Sequence, residues 1–389
     1  MTRNETTSIV REIMAEFADL TGLSSRKSPR RYLWTDAFAV CNFLELYNQT
    51  GDSKYRQLAL RLVDQVHHVL GRHRDDYPRQ GWISGLGEKE GEKHPTAGGL
   101  RIGKKIKERR PDDPFDERLE WDRDGQYYHY LTKWMHALSL ASRITREPIY
   151  NVWAIELAKT AHARFAYILS PRVPKRMYWK MSIDLSYPLV PSMGHHDPLD
   201  GFIIYNELQA TAEKFSGVSA PDLTAEISDM AAICEGKNWM TEDPLGIGDL
   251  LCNAYKAAQL ATGGNFEQTD LPGILLDSSL PGLEAYSRTN SLELPADYRL
   301  AFRELGLAIG LKAIERLRDL IKRTPVSSNV QRAVYPLIEA VMEYVPLSER
   351  IATFWLDHRN KEDGSWTEHR DINMVMLATS LAPDAYLTL

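Results

Sequence analysis

The stretch Tyr32-Leu33-Trp34-Thr35-Asp36-Ala37-Phe38-Ala39-Val40-Cys41-Asn42-Phe43-Leu44-Glu45-Leu46-Tyr47 decides the fold. Leu33, Trp34, Ala37, Phe38, Val40, Cys41, Phe43 and Leu44 cover nearly every side of a helix drawn through it. A helix that is apolar all round is buried all round. The turn Thr50-Gly51-Asp52 ends it. Residues 55–70 then change pattern. Tyr55, Leu58, Ala59, Leu62, Val63, Val66 and Leu70 make one stripe, with Arg, Gln and Asp opposite. The spacing predicts an inner helix, a short turn and a one-faced outer helix.

The pair recurs. Residues 126–141 are again apolar on most sides, through Tyr127, Tyr130, Leu131, Trp134, Met135, Leu138 and Leu140. A turn at 145–148 leads to a striped helix over 150–167. Thr50, Tyr55 and Ala59 correspond to Thr145, Tyr150 and Ala154, a weak internal repeat. Further pairs are read at 199–215 with 223–234, joined by 217–221, at 247–262 with 272–286, and at 297–321 with 330–344. A shorter helix is read at 347–356. The amphipathic helix at 8–20 and the last apolar helix at 371–381 each lack a sequence neighbour. Pairing them closes a ring of about six hairpins in one domain over 1–389. No strand alternation of any length is visible. The longest irregular segment, 73–120, reads as a lid-like loop.

Composition narrows the function. The 389 residues are 43% hydrophobic and 26% charged, an ordinary globular balance. A net charge of -6 and a pI near 6.0 argue against a nucleic-acid binder. No run approaches membrane-spanning length. Cys41, Cys234 and Cys252 lie far apart, without CxxC spacing, and suit a reducing, cytoplasmic setting. Nine Trp and eighteen Tyr are many, and such rings line sugar sites as well as cores.

Inner helices that alternate with outer ones and begin in polar residues resemble the all-α (α/α)6 toroid, or six-hairpin, superfamily. The resemblance covers nearly the whole chain and is one of layout. It implies carbohydrate chemistry: inverting glycosidases, unsaturated-uronyl hydrolases, polysaccharide lyases, and sugar epimerases or isomerases. Related α/α barrels cyclise terpenes or prenylate proteins.

In such a ring one rim collects the N-termini of the inner helices, with their free N–H groups and partial positive charge. Before the first inner helix stand Arg30, Arg31, Tyr32, Trp34 and Asp36. Asp36 is either a first-turn residue serving the helix dipole or a cavity carboxylate. Before the second stands Leu119-Glu120-Trp121-Asp122-Arg123-Asp124-Gly125-Gln126-Tyr127-Tyr128-His129-Tyr130. Here Asp122 or Asp124 could be a simple cap. Yet Trp121, Tyr127 and Tyr128 interleave with the acids, as in pyranose recognition. Before the third, His195, His196, Asp197 and Asp200 lie within six residues. Asp200 reads also as a cap, and adjacent histidines seldom converge on one ion, so no metal is expected. Before the fourth stand Glu242, Asp243, Gly246, Gly248 and Asp249. The glycines form no phosphate loop, and Asp249 reads as the cap. Tyr298, Arg303 and Glu304 read as ordinary helix residues. Before the sixth stand Trp366, Glu368, His369 and Asp371, with Asp371 again a candidate cap.

A glycoside hydrolase needs one protonated and one ionised carboxylate. Asp36, Asp124, Asp197, Asp200 and Asp371 are the pool for such a pair, and Asp124, Asp200 and Asp371 lead it. An epimerase or isomerase would use His195, His196 or His369, with His129 behind. Trp34, Asp36, Trp121, Asp122, Tyr127, Tyr128, His196, Asp197 and Trp366 are the expected substrate contacts. A catalytically silent binding toroid is the other reading. No nucleophile elbow, kinase set, dinucleotide fingerprint or HExxH motif is present, so no cofactor is expected. A small sugar-like substrate is the expected partner, with no nucleic acid and no membrane.

Overall fold

A computed structural model describes residues 2–170, 175–215, 221–264, 266–323 and 328–389, the last of these without side chains up to residue 333. The joint read at 217–221 lies, except for Pro221, outside the described residues. The long helices are α1 (Arg3–Leu20), α2 (Leu33–Thr50), α3 (Ser53–Leu70), α4 (Tyr128–Thr145), α5 (Ile149–Phe165), α6 (Asp197–Glu213) and α7 (Thr224–Cys234). They continue as α8 (Pro244–Thr262), α9 (Leu271–Arg288), α10 (Ala301–Arg323), α11 (Ser328–Met342), α12 (Pro346–Leu356) and α13 (Arg370–Leu381). None of the described helices is long and apolar enough to cross a membrane.

The two burial patterns of the sequence are both present. Every residue of α2 from Leu33 to Leu46 is buried, whereas α3 buries a single stripe of Tyr55, Ala59, Leu62, Val63, Val66, His67 and Leu70. Packing decides α2. Each fully buried Leu or Phe contributes about 1.5–3 kcal/mol. Thr35, Val40 and Asn42 each cost only about half a kcal/mol in helix propensity. The turn between the helices is fixed by Asp52, which accepts from the Lys54 N–H at 3.0 Å.

The chain divides into two compact units. The first comprises Ala18–Tyr47 and Asp52–Gly236. In it α4 packs on α5 and α6, and α6 on α7. Two small antiparallel sheets correct the expectation that strands are missing. One has the order β1 (Gln126–Tyr127), β4 (Lys180–Met181), β5 (Pro188–Val190), and the other pairs β2 (Ala166–Tyr167) with β3 (Arg176–Met177). Strands this short leave no alternation to read. Gln126 and Tyr127 are therefore strand, and α4 begins at Tyr128. Between α3 and β1 the chain forms short helices at Glu88–Lys93 and Glu117–Asp122 and buries Trp82, Ile83, Thr96, Leu100 and Ile102.

The second unit comprises Met1–Phe17, Asn48–Gly51 and Lys237–Leu389. Here α8 packs on α9 and α10, and α10 on α12 and α13. Gly248 and Gly310 let α8 and α10 touch backbone to backbone. A Cβ at Gly310 would meet the Gly248 carbonyl oxygen at 2.5 Å, and a Cβ at Gly248 would run into the Gly306 carbonyl. The cap of α8 is Asp243, which accepts from the Leu245 N–H at 3.3 Å and pairs with Arg303 at 2.8 Å. Asp249 lies inside the helix, so the sequence reading placed the cap too late. Glu304 is no ordinary helix residue. It is buried, accepts from Arg299 and takes the Trp355 Nε1–H at 2.8 Å. Arg370 of α13 pairs with Glu16 of α1, so the first and last long helices meet, as expected.

Candidate functional site

The site lies in the first unit and is built by α2, α4 and α6. On α4, His129 and Lys133 are four residues apart. On α6, Asp197 and Asp200 are three apart. Each pair therefore shares one helix face. The pairs meet rung by rung. His129 Nδ1 stands 3.7 Å from Asp197 Oδ1, and Lys133 Nζ stands 3.4 Å from Asp200 Oδ2. Both aspartates occupy the first turn of α6, where the helix dipole favours negative charge.

Asp197 is only 4% exposed. Burial, reinforced by the neighbouring Asp200, holds its carboxyl well above the usual carboxylate range. Burial also pushes the His129 imidazole down to about 4, against the attraction of Asp200. At neutral pH the ring is uncharged. Gly194 makes room for this arrangement, because a Cβ there would collide with the Asp197 carboxylate.

Trp34 Nε1, His129 Nδ1 and Asp197 Oδ2 are all buried without a hydrogen-bond partner. Each such orphan costs about 1–3 kcal/mol. They are neighbours: the rings of Trp34 and His129 lie 6.0 Å apart, and His129 faces Asp197. Each of the three atoms thus keeps an unused hydrogen-bonding capacity.

An aromatic wall continues from them. Trp34 contacts Tyr130 at 5.3 Å, Tyr130 contacts Tyr127 at 5.2 Å, and Tyr127 contacts both His129 and Trp179 at 5.3 and 5.2 Å. Tyr32 joins through its hydroxyl, 2.6 Å from that of Tyr130. The small sheet sets the far end. Tyr127 is in register with Lys180, and the Tyr128 N–H donates to the Trp179 carbonyl at 3.4 Å. Lys133 Nζ lies 6.0 Å from the Trp34 ring, so one ammonium serves both Asp200 and the wall.

Of the residues singled out in the sequence, Trp34, Tyr127, Asp197 and Asp200 come together here. Asp36 is buried at the same helix start, where it accepts from the Tyr32 N–H at 2.9 Å and pairs with Arg31 at 3.2 Å. Trp121 is 48% exposed and packs on Trp179 at 4.8 Å, and Asp122 is exposed beside it. Tyr128 is fully buried and its hydroxyl donates to Tyr205 at 2.9 Å. His195 is exposed and His196 half-buried, with their rings 4.6 Å apart. Trp366, His369 and Asp371 belong to the second unit. There Trp366 stacks on Trp355 at 5.7 Å and His369 contacts Phe302 at 5.5 Å. Asp371 stands in the first turn of α13 and does not cap it, because the cap position is His369.

Asp124 is neither a cap nor an open carboxylate. It is 0% exposed and takes Arg101 at 2.9 Å and Arg74 at 3.3 Å on Oδ2. Its Oδ1 accepts the N–H groups of Gly103 at 2.9 Å, Lys104 at 3.3 Å and Gly125 at 3.1 Å. Sequence reasoning kept His129 in reserve and passed over Lys133, Tyr130 and Trp179. The four-residue spacing of His129 and Lys133 on a helix apolar on most sides was the available signal. Among the described residues, no group of His, Cys, Asp and Glu is arranged to hold a metal ion.

No protein-family model matches the chain, and no curated protein matches it in sequence. Solved structures do match. A GH76 α-mannanase of Bacteroides thetaiotaomicron superposes with a TM-score of 0.56 at 9% identity, over 98% of this chain and 97% of that one. The fold is the (α/α)6 toroid. A D-mannose isomerase gives 0.52 at 11% identity over 98% of each chain. The cellobiose 2-epimerase of Spirochaeta thermophila gives 0.51 at 11%, over 96% and 98%. At such identities the likeness is one of fold. Within the (α/α)6 toroid, helices buried on every side are the inner ones and striped helices the outer ones. Trp34, His129 and Asp197 thus stand at the starts of the inner helices α2, α4 and α6.

Proposed function

We propose that the chain is a carbohydrate-active enzyme, with glycosidic-bond hydrolysis as its leading reaction and Asp197 and Asp200 as its acid–base pair. The observation that carries this reading is the convergence of orphaned Trp34 Nε1, His129 Nδ1 and Asp197 Oδ2 under an aromatic wall. Sugars offer both parts of the complement: hydroxyls for the orphans and C–H faces for the rings. The fold is shared with structures described as a mannanase, an epimerase and an isomerase, which supports the same class.

In this mechanism Asp197, kept protonated by burial, gives its proton to the glycosidic oxygen as the bond to the anomeric carbon breaks. Asp200, its charge supported by Lys133, takes a proton from the attacking water or stabilises the oxocarbenium-like transition state. His129, uncharged, orients a hydroxyl through Nδ1. A second reading, isomerisation or epimerisation, rests on that same unpaired imidazole. A pKa near 4 makes it a weak base for carbon acids, which is why hydrolysis leads. A reducing, cytoplasmic setting belongs to this proposal.

The test is incubation with manno-oligosaccharides, cellobiose and free mannose, read by mass and by sugar-isomer separation. Shortened oligosaccharides, lost in Asp197→Asn, support hydrolysis. Conversion without mass change, lost in His129→Gln but kept in Asp197→Asn, replaces it with isomerase chemistry. No conversion of any sugar, with binding retained, leaves a silent toroid.

A further inference from the structure

Lys104 is a cation with a fixed root and an unengaged head. Its backbone is held at both ends by the Asp124 cluster: its N–H donates to Asp124 Oδ1 at 3.3 Å, and its carbonyl accepts from Arg74 at 2.6 Å. The ammonium lies 5.8 Å from the centre of the Tyr127 ring, the ring that also contacts His129 and Trp179. No described carboxylate lies within ion-pairing distance of it.

The nearby acids are committed elsewhere or stand off. Asp124 is taken by Arg101 and Arg74. Glu120 pairs with Lys180 at 2.9 Å and faces Arg109 at 3.4 Å. Asp122 is exposed and acts only through space. A half-buried ammonium without a counter-charge is costly, and the strain registers: burial, with repulsion from Lys180, lowers Lys104 to about 8.

We propose that Lys104 receives an anionic substituent, a carboxylate or a phosphate, on the sugar bound along the Tyr127 side of the wall. The inference rests on the carbohydrate reading above and names its substrate class: acidic sugars in preference to neutral ones. Asp124, with Arg101 and Arg74, is then the mount that aims Lys104, a positioning residue with no contact to substrate.

The experiment measures binding of D-mannose, D-mannuronate and D-mannose 6-phosphate by calorimetry at low salt. It uses the full chain and the Lys104→Met and Lys104→Arg variants. In the unaltered protein one of the two acidic sugars binds about tenfold or more tighter than mannose, the ratio a charge-assisted hydrogen bond gives. Which of the two gains identifies carboxylate or phosphate. Lys104→Met brings the ratio to about one, and Lys104→Arg keeps it above one. A ratio of one in the unaltered protein overturns the proposal while sparing the carbohydrate reading. So does an acidic preference that survives in Lys104→Met. Failure of all three sugars to bind overturns both.

Discussion

The imidazole of His129 and the carboxyl of Asp197 face each other across 3.7 Å, beyond hydrogen-bond range, and each keeps a buried polar atom unpaired. Folding normally removes such pairs of orphans, since closing the gap would recover about 1 kcal/mol or more. Trp34 packs its ring against His129, and Gly194 leaves the room that the Asp197 carboxyl occupies.

Asp197→Asn should lower turnover about 10²–10⁴-fold, the usual worth of a positioned acid. The same change should raise thermal stability. Asp197 titrates higher in the folded chain than in the unfolded one, so its contribution to stability is greatest at low pH. That contribution is lost as pH rises from the ordinary 3.8 through the raised folded value. The amide removes that loss. Melting curves of both proteins should converge in acid and separate toward neutral pH. Separation in the opposite sense contradicts a neutral buried Asp197.

Gly194→Ala should reduce turnover about tenfold or more while leaving the fold intact, because the added methyl displaces only the Asp197 carboxylate. Kinetics and circular dichroism together check this. A fall in helix content instead of turnover would assign Gly194 to folding.

Asp124→Asn should act through stability. The arginines left behind are largely buried, and breaking a buried ion cluster costs about 3–5 kcal/mol. Urea unfolding gives the number. Turnover per folded molecule on a neutral sugar should change far less than in Asp197→Asn.

Two buried histidines should contribute to the acid limb of stability. His67 accepts the Trp134 Nε1–H at 3.2 Å and burial lowers it to about 3, while His129 sits near 4. Both lie below the ordinary 6.5, so the unfolded chain binds protons first as pH falls. Stability should decline from about pH 6.5 downward. His129→Gln should flatten part of that slope in a pH series of unfolding midpoints.

The helices were legible because their burial is periodic. The all-round apolar run of α2 and the stripe of α3 state their environments residue by residue. The acids were harder. Asp124 and Asp200 look alike in sequence, each near the start of an apolar helix, yet one is saturated by two arginines and three backbone N–H groups and the other stands beside Lys133. The difference lies in Arg74 and Arg101, which arrive from an aperiodic segment that sequence pattern cannot place. Trp179 was missed likewise, since strands β1 and β4, two residues long, bring it to the wall.

The contact of α8 with α10 has a consequence for how this chain can change over time. Where side chains interdigitate, a smaller residue leaves a void and a larger one a bump, and neighbours can drift to compensate. At Gly248 and Gly310 a neighbouring backbone, and no side chain, stands closest across the contact, so nothing there can do the compensating. The smallest possible step, a single methyl, already meets backbone at Gly248 and Gly310. These positions have one permitted letter, and any descendant that loses it must re-angle both helices at once. New arrangements of these two helices are therefore out of easy reach for this molecule.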